Sequence, residues 1–246
     1  MRQGPVCTLT LDSPHNRNAL SAQLLDELAD GLATAAADPG VRVVVLTATG
    51  KAFCSGADLS APPTVVSSRM PGVLEAIRSA PVPVIARVGG HARAGGLGLI
   101  ATADLAAATA ASTFAFSEVR VGVAPAMILV PALRVADRRF LSRAVLTGEP
   151  FGAADAADAG LLTGVVDDES ALDGWVDAAV SSILKCAPGA VSATKALLAE
   201  LSETAWSEGL SLAQTRSAEL FAGAEAAEGM DAFLHKRTPS WEGITP

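Results

Sequence analysis

The chain has 246 residues, half of them hydrophobic, and a formal net charge of −8. That length suits one large domain, or a domain with a smaller appendage, able to bury a substantial core. The acidic balance argues against a general nucleic-acid surface, which needs clustered Lys and Arg, and the longest apolar run, Val121 to Leu133, is too short to cross a bilayer and contains Pro125 and Pro131.

Met1 to Asp12 has no charged stretch leading into the apolar run of a secretory signal. Cys7, Cys54 and Cys186 are widely spaced, with neither metal-ligand spacing nor an even number for disulfides. Both features point to a reducing cytoplasm and to no metal site. Val6 to Leu11 reads as the first strand. Ser21 then caps a helix in which Leu24, Leu25, Leu28 and Leu32 recur at helical spacing, and Asp38-Pro39-Gly40 ends it. Val41 to Ala48 is an almost unbroken β-branched apolar run, as expected of a strand covered on both faces. Thr49 to Pro63 reads as a loop, followed by a helix around Val66 to Ser79. The unit repeats with a strand at Val82 to Val88, a loop at Gly89 to Ala94 and an apolar helix at Gly95 to Ala103. Leu105 to Thr109 and Thr113 to Phe116 read as another pair of strands. Strands alternating with helices imply an α/β fold with right-handed crossovers. Beyond about Asp168 the pattern is helical, at Ala171 to Leu184, Pro188 to Leu201, Trp206 to Phe221 and Ala224 to Leu234. That tail is too short to bury its own faces and should pack on the core or on a neighbouring subunit.

Two glycine-bearing loops follow buried strands, "GKAFCSGADLS" (Gly50 to Ser60) and "GGHARAGGLG" (Gly89 to Gly98). Ligands of open parallel sheets bind beyond the carboxyl ends of strands, so these loops belong on the functional side. Taken singly, each suits a flexible turn equally well. Gly96 to Ala101 formally satisfies the dinucleotide pattern G-x-G-x-x-G/A, but seven residues, Gly89 to Gly95, separate Val88 from its first glycine, whereas a dinucleotide loop leaves the strand directly. A nicotinamide-dependent oxidoreductase is therefore the disfavoured reading, and no G-x-x-x-x-G-K-[ST] phosphate loop exists. Cys54 reads as a small apolar filler rather than a nucleophile.

Six segments in order, "NRNALS" (16–21), "GKAFCSGADL" (50–59), "GGHARAGGLGLIATADLAAA" (89–108), "FAFSEVRVGVAP" (114–125), "LTGEPFGAADAADAGLL" (146–162) and "EGMDAFLHKRTPSW" (228–241), resemble the crotonase superfamily, the enoyl-CoA hydratase/isomerase family. The resemblance runs along essentially the whole chain. It implies a crotonase-like spiral of ββα repeats, with residues 1–185 as the catalytic core and 186–246 as a helical region for trimerisation, giving a homotrimer or a dimer of trimers. It implies an acyl-CoA thioester substrate, with coenzyme A entering as part of that substrate and no separate cofactor. The thioester oxygen, negative in an enolate, would be held by the backbone N–H groups of Ala57 and Gly95. Glycine permits close backbone approach, and a helix start favours negative charge, so the residue types suit that task.

Hydratases of this family usually carry two glutamates. The first lies three residues beyond the oxyanion glycine, where this chain has Gly98; the second matches Glu118 in "FAFSEV". Read alone, Glu118 suits a solvated turn, whereas the resemblance makes it the acid/base. One carboxylate leaves three activities open: hydration of 2-enoyl-CoA, isomerisation of 3-enoyl-CoA to 2-enoyl-CoA, or acyl-CoA binding without catalysis. His91 reads as a loop histidine bonded to backbone, and Glu149 as a turn residue. Ala126, Met127 and Ile128 stand where hydratases have a glycine-rich turn, either as core filler or as a narrowed acyl pocket. By the same resemblance coenzyme A should lie along Arg17, Ala19 and Leu20 and along Ala52 and Asp58, with Phe233 and Lys236 of a neighbouring subunit beside the nucleotide. "HKR" (235–237) equally suits a solvated cationic helix end.

Overall fold

The structure, a computed structural model, describes residues 1–60, 62 and 64–242, with Val65 described by its backbone alone. Ala61 and Pro63 of the expected loop, and residues 243–246 of the expected helical region, lie outside the described residues. β1 (Arg2–Gln3) turns back onto β2 (Val6–Leu11), and α1 (Ala22–Ala37) begins where the Ser21 hydroxyl accepts from the Leu24 N–H at 3.2 Å. β3 (Val43–Ala48) follows, and its apolar run is explained by two covered faces. Val44 and Leu46 enter the main core, while Val43 and Val45 meet a second cluster with Ile85, Val176, Val180 and Leu184.

From β3 the chain winds in repeats of two strands and a helix. These are β3, β4 (Ala52–Cys54) and α2 (Thr64–Ser79), then β5 (Val84–Val88), β6 (His91–Arg93) and α3 (Gly95–Thr102). The third repeat is β7 (Leu105–Thr109), β8 (Thr113–Ala115) and, after a 3₁₀ turn at Ser117–Val121, α4 (Ala126–Val135). α5 (Arg138–Thr147), β9 (Phe151–Gly152), α6 (Ala153–Asp158), β10 (Gly164–Val166) and α7 (Glu169–Leu184) complete the core, and α8 (Pro188–Leu201), α9 (Trp206–Phe221) and α10 (Ala224–Leu234) form the tail. The first strand of each repeat joins a six-stranded sheet ordered β1-β2-β3-β5-β7-β10, parallel except at β1. The second joins a four-stranded sheet ordered β4-β6-β8-β9.

Both expected loops thus contain a short strand, and the expected pair Leu105 to Thr109 and Thr113 to Phe116 divides between the two sheets. Three residues are too few to display an alternation, which is why β4 and β6 leave no periodic trace. The tail is fastened by polar contacts more than by apolar burial. The Lys195 ammonium of α8 is buried and donates to the Ile77 carbonyl (2.9 Å), the Val82 carbonyl (3.1 Å) and Asp104 Oδ2 (2.7 Å). Among the described residues α9 buries no side chain and α10 only Ala232.

Candidate active site

The segment before α1 positions the first loop. After a 3₁₀ turn at Pro14–Asn16, Arg17 and Asn18 both adopt left-handed backbone, with φ of 58° and 56°. Asn tolerates that conformation better than most side chains. Asn18 is fully buried: its Oδ1 accepts from the Ser13 N–H (2.7 Å), and its Nδ2 donates to the carbonyls of Thr49 (2.9 Å) and Ala52 (2.8 Å). Ser55 adds two bonds, from its N–H to the Arg17 carbonyl and from its hydroxyl to the Asn16 carbonyl, both 3.1 Å. Leu20 then pairs with Ala57 as a parallel bridge, its N–H donating to the Gly56 carbonyl (2.7 Å) and its carbonyl accepting from the Asp58 N–H (3.2 Å). In such a ladder the N–H of the intervening residue, Ala57, points away from Leu20. It has no acceptor among the described residues.

The second loop is positioned by volume. Ala94 precedes α3 at φ 49° and ψ −121° with its N–H donating to the Ala115 carbonyl (3.0 Å). An L-residue held there stores about 1–3 kcal/mol of strain, which the surrounding structure must offset. Gly95 opens α3, and its N–H likewise has no acceptor among the described residues, as expected of a first helical position. A Cβ on Gly95 would lie 2.5 Å from Leu20 Cδ1, and one on Gly96 2.7 Å from Cys54 Cβ. Gly56, at φ +96°, faces Ala94 so closely that a Cβ there would lie 2.9 Å from the Ala94 Cβ. The two loops therefore touch one residue before each unpaired amide.

Glu118 stands in the 3₁₀ turn three residues after Ala115, whose carbonyl holds the Ala94 turn. Phe116 beside it is fully buried and stacks on Phe151 at 6.2 Å, fixing the strand end. The Glu118 side chain is half-buried, and its Oε2 is buried without a partner among the described residues. Burial pushes its pKa above the ordinary 4.5, opposed to a lesser degree by its own backbone N–H. A carboxyl kept unpaired and partly out of water is, once ionised, a stronger base than an exposed one, which suits it to exchanging a proton. One turn beyond Gly95, a Cβ on Gly98 would lie 2.6 Å from Ile128 Cγ2. Ile128 thus presses on α3, whereas Met127 lines a groove of about 620 Å³ among α2, α3, α4 and α8 whose lining includes none of Ala57, Gly95 or Glu118.

Of the expected coenzyme A residues, Arg17, Ala19, Leu20, Ala52 and Asp58 all lie in or beside the segments clamped by Asn18. Arg17 is exposed, Ala19 and Leu20 are buried, and Ala52 and Asp58 are half-buried. Hydrogen bonds from the Ser60 hydroxyl (2.6 Å) and N–H (2.9 Å) hold the Asp58 carboxyl below its ordinary range. Phe233 and Lys236 are exposed at the end of α10, and no hydrogen bond or ion pair among the described residues ties either side chain to these segments. Their neighbours in "HKR" are engaged locally, His235 with Asp231 (2.9 Å) and Arg237 with Glu228 (2.7 Å). Cys54 is buried with its thiol pushed up to about 12, so it offers no thiolate at neutral pH. His91 Nδ1 accepts from the Thr113 N–H at 3.2 Å, and Glu149 is exposed. Among the described residues there is no cluster of metal-ligating side chains and no helix long and apolar enough to cross a membrane. Asn18 is the position whose importance sequence reasoning missed; Ile128 is singled out there as core filler or a narrowed acyl pocket, but without its contact at Gly98. Asn18 lay inside a quoted motif, and a left-handed turn was its available signal.

Three comparisons with known proteins bear on this arrangement. Residues 1–244 match the enoyl-CoA hydratase/isomerase family. The 2,3-dehydroadipyl-CoA hydratase of Escherichia coli is 32% identical over 98% of this chain and 97% of its own. An enoyl-CoA hydratase of Mycobacterium smegmatis superimposes with a TM-score of 0.92 at 40% identity, covering 96% of this chain and 95% of that one. Human enoyl Coenzyme A hydratase domain-containing protein 3 does so with a TM-score of 0.93 at 30% identity, covering 98% of each. With the ββα spiral and the touching glycine loops already in place, a match across the full length shows that this chain belongs to the enoyl-CoA hydratase/isomerase family.

Proposed function

We propose that the chain is an enzyme acting on unsaturated acyl-CoA thioesters, with the Ala57 and Gly95 amides holding the thioester oxygen and Glu118 moving a proton at the carbon beside it. The observation that carries this reading is the contact of Gly56 with Ala94, which brings together two loops that each end on an unpaired N–H. As Glu118 takes a proton from the α-carbon, the electron pair passes onto the thioester oxygen as an enolate. Each well-placed donor is worth about 10²–10³ in rate. Coenzyme A enters with the substrate, so no separate cofactor is required, and the Arg17 guanidinium, with no side-chain partner among the described residues, is available to its phosphates. Trp206, Phe221, Phe233 and Leu234 are exposed by 83, 70, 84 and 75%, which supports assembly of the tail with other copies as a trimer or paired trimers, where Phe233 and Lys236 would reach a neighbour's nucleotide. We place this assembly in the cytoplasm.

The specific observation at Gly98 favours isomerisation over hydration. Glu118 would remove a C2 proton from a 3-enoyl-CoA and return it to C4, moving the double bond into conjugation with no net proton or water consumed. Separate incubation with 3-enoyl-CoA and 2-enoyl-CoA, followed by the absorbance of the conjugated thioester, tests both readings. Absorbance should rise with the first substrate and hold steady with the second. A fall with the second would establish hydration, and saturable binding without change in either would leave a non-catalytic acyl-CoA-binding protein.

A further inference from the structure

Gly98 follows Gly95 by one turn of α3, on the same flank of the helix. The volume beside it is filled. A Cβ there would meet Ile128 Cγ2 at 2.6 Å, Ile128 Cβ at 3.1 Å and Met70 Cε at 3.1 Å, and the same Met70 methyl lies 3.9 Å from the Cβ position of Gly95. Ile128 is 3% exposed and Met70 not at all, so this wall, next to the proposed oxyanion donor, is both apolar and closed.

We infer that Gly98 and Ile128 form a size-matched pair that decides the reaction: Ile128 occupies the place where a second carboxylate, or a water held for attack, would have to stand. The inference rests on the roles given above to Glu118 and the two amides. A buried water needs about three hydrogen bonds, and neither Ile128 nor Met70 offers one. Met70 is unbranched and can bend aside, but a β-branched side chain within a helix keeps essentially one rotamer, so Ile128 is the block. Removing Ile128 alone leaves an apolar void, which stays dry. Placing Glu at 98 alone drives its Cβ into Ile128. Only the two changes together make room for a carboxylate and supply it.

The test compares the parent, Ile128→Ala, Gly98→Glu and the double variant in two assays. Exchange of the α-protons of a saturated acyl-CoA in D2O reads Glu118 and the amides, whereas hydration of 2-enoyl-CoA reads the wall. The parent and Ile128→Ala should exchange protons without hydrating, Gly98→Glu should fold poorly or stay inactive in hydration, and the double variant should hydrate at least about tenfold faster than the parent, a factor well within general acid–base effects. Should the double variant not fold, Gly98→Asp with Ile128→Ala carries the shorter carboxylate and the same expectation. The pair is overturned if the parent hydrates as fast as it exchanges, if Gly98→Glu alone matches the double variant, or if folded double variants exchange without gaining hydration. Absence of exchange in the parent overturns the roles of Glu118 and the amides, and the pair with them.

Discussion

The two loops that bear the unpaired amides are held by different physics. The Ser55 to Asp58 segment is clamped by polar groups, with Asn18 bonding three backbone atoms, Ser55 two carbonyls and Leu20 both Gly56 and Asp58. Ala94 to Gly98 is seated by packing, its glycines pressed on Leu20, Cys54 and Ile128. One amide is placed by hydrogen bonds with directional tolerance, and the other by volume, which tolerates almost no added atom. The substitutions that damage each loop should therefore differ in kind, and where the loops touch a single methyl group should damage both.

On the proposed roles, loss of Glu118 has the largest expected effect. Glu118→Gln should lower α-proton exchange by about 10²–10⁴-fold, the usual share of a general acid or base. Its stability effect should run the other way. The folded carboxyl has a raised pKa, so its contribution to stability is present below the unfolded value near 4.5 and is lost as pH rises through the folded value. Glutamine has nothing to ionise, and the variant should melt at neutral pH no lower than the parent. The same shift sets the activity profile: exchange needs the carboxylate, so its rate should climb with pH through that raised pKa. Stopped exchange with a markedly lowered Tm would instead make Glu118 a structural residue.

Gly56→Ala breaks the contact between the loops. Its Cβ would stand 2.9 Å from that of Ala94 on backbone at φ +96°, so the loops must separate or the turn must change. A rate loss of about 10²-fold is expected if one donor is displaced, with about 1–3 kcal/mol of stability, measured by exchange and by thermal melting. Asn18→Ala tests the polar clamp by itself. It strands the Ser13 N–H and the carbonyls of Thr49 and Ala52, and should cost about 3 kcal/mol in denaturant unfolding, with a smaller loss of rate below the melting temperature.

The contrast also explains what could be read from residues alone. α8, α9 and α10 have the boundaries their periodicity predicts, and the β-branched run at β3 announces a strand covered on both faces. β4 and β6, three residues each, are set by pairing across repeats and leave no local pattern. α5 carries local signals that the sequence reading left unused: Asp137 at its N-cap, an apolar stripe of Phe140, Leu141, Ala144 and Val145 facing the core, and a left-handed Gly148 at its end. Ala57, Gly95 and Glu118 were named through the family resemblance, since spacing alone cannot distinguish an oxyanion loop from a turn. The seat of Ile128 against Gly98 depends on how α4 crosses α3, a contact between residues thirty positions apart that no local motif encodes.

Cys54→Ala probes the packed loop with the smallest expected effect. Removing one sulfur beside Gly96 leaves a small void, worth about 1 kcal/mol at most after partial relaxation. Catalysis should be unchanged, because burial holds the thiol near 12 and no thiolate forms at working pH. Alkylation checks the same point without mutation: the exposed Cys186 should react in the native chain, while Cys54 should react only after unfolding. The change spares the hydrogen bonds of Asn18 and Ser55 but removes the sulfur that accepts from the Gly56 N–H at 3.4 Å, so a small effect on the first loop is expected as well. If Cys54→Ala lowers exchange tenfold, the small effect expected here is wrong and the sulfur's contacts with Gly96 and the Gly56 N–H set the site's geometry; if Asn18→Ala spares both rate and stability, hydrogen bonds do not hold the first loop.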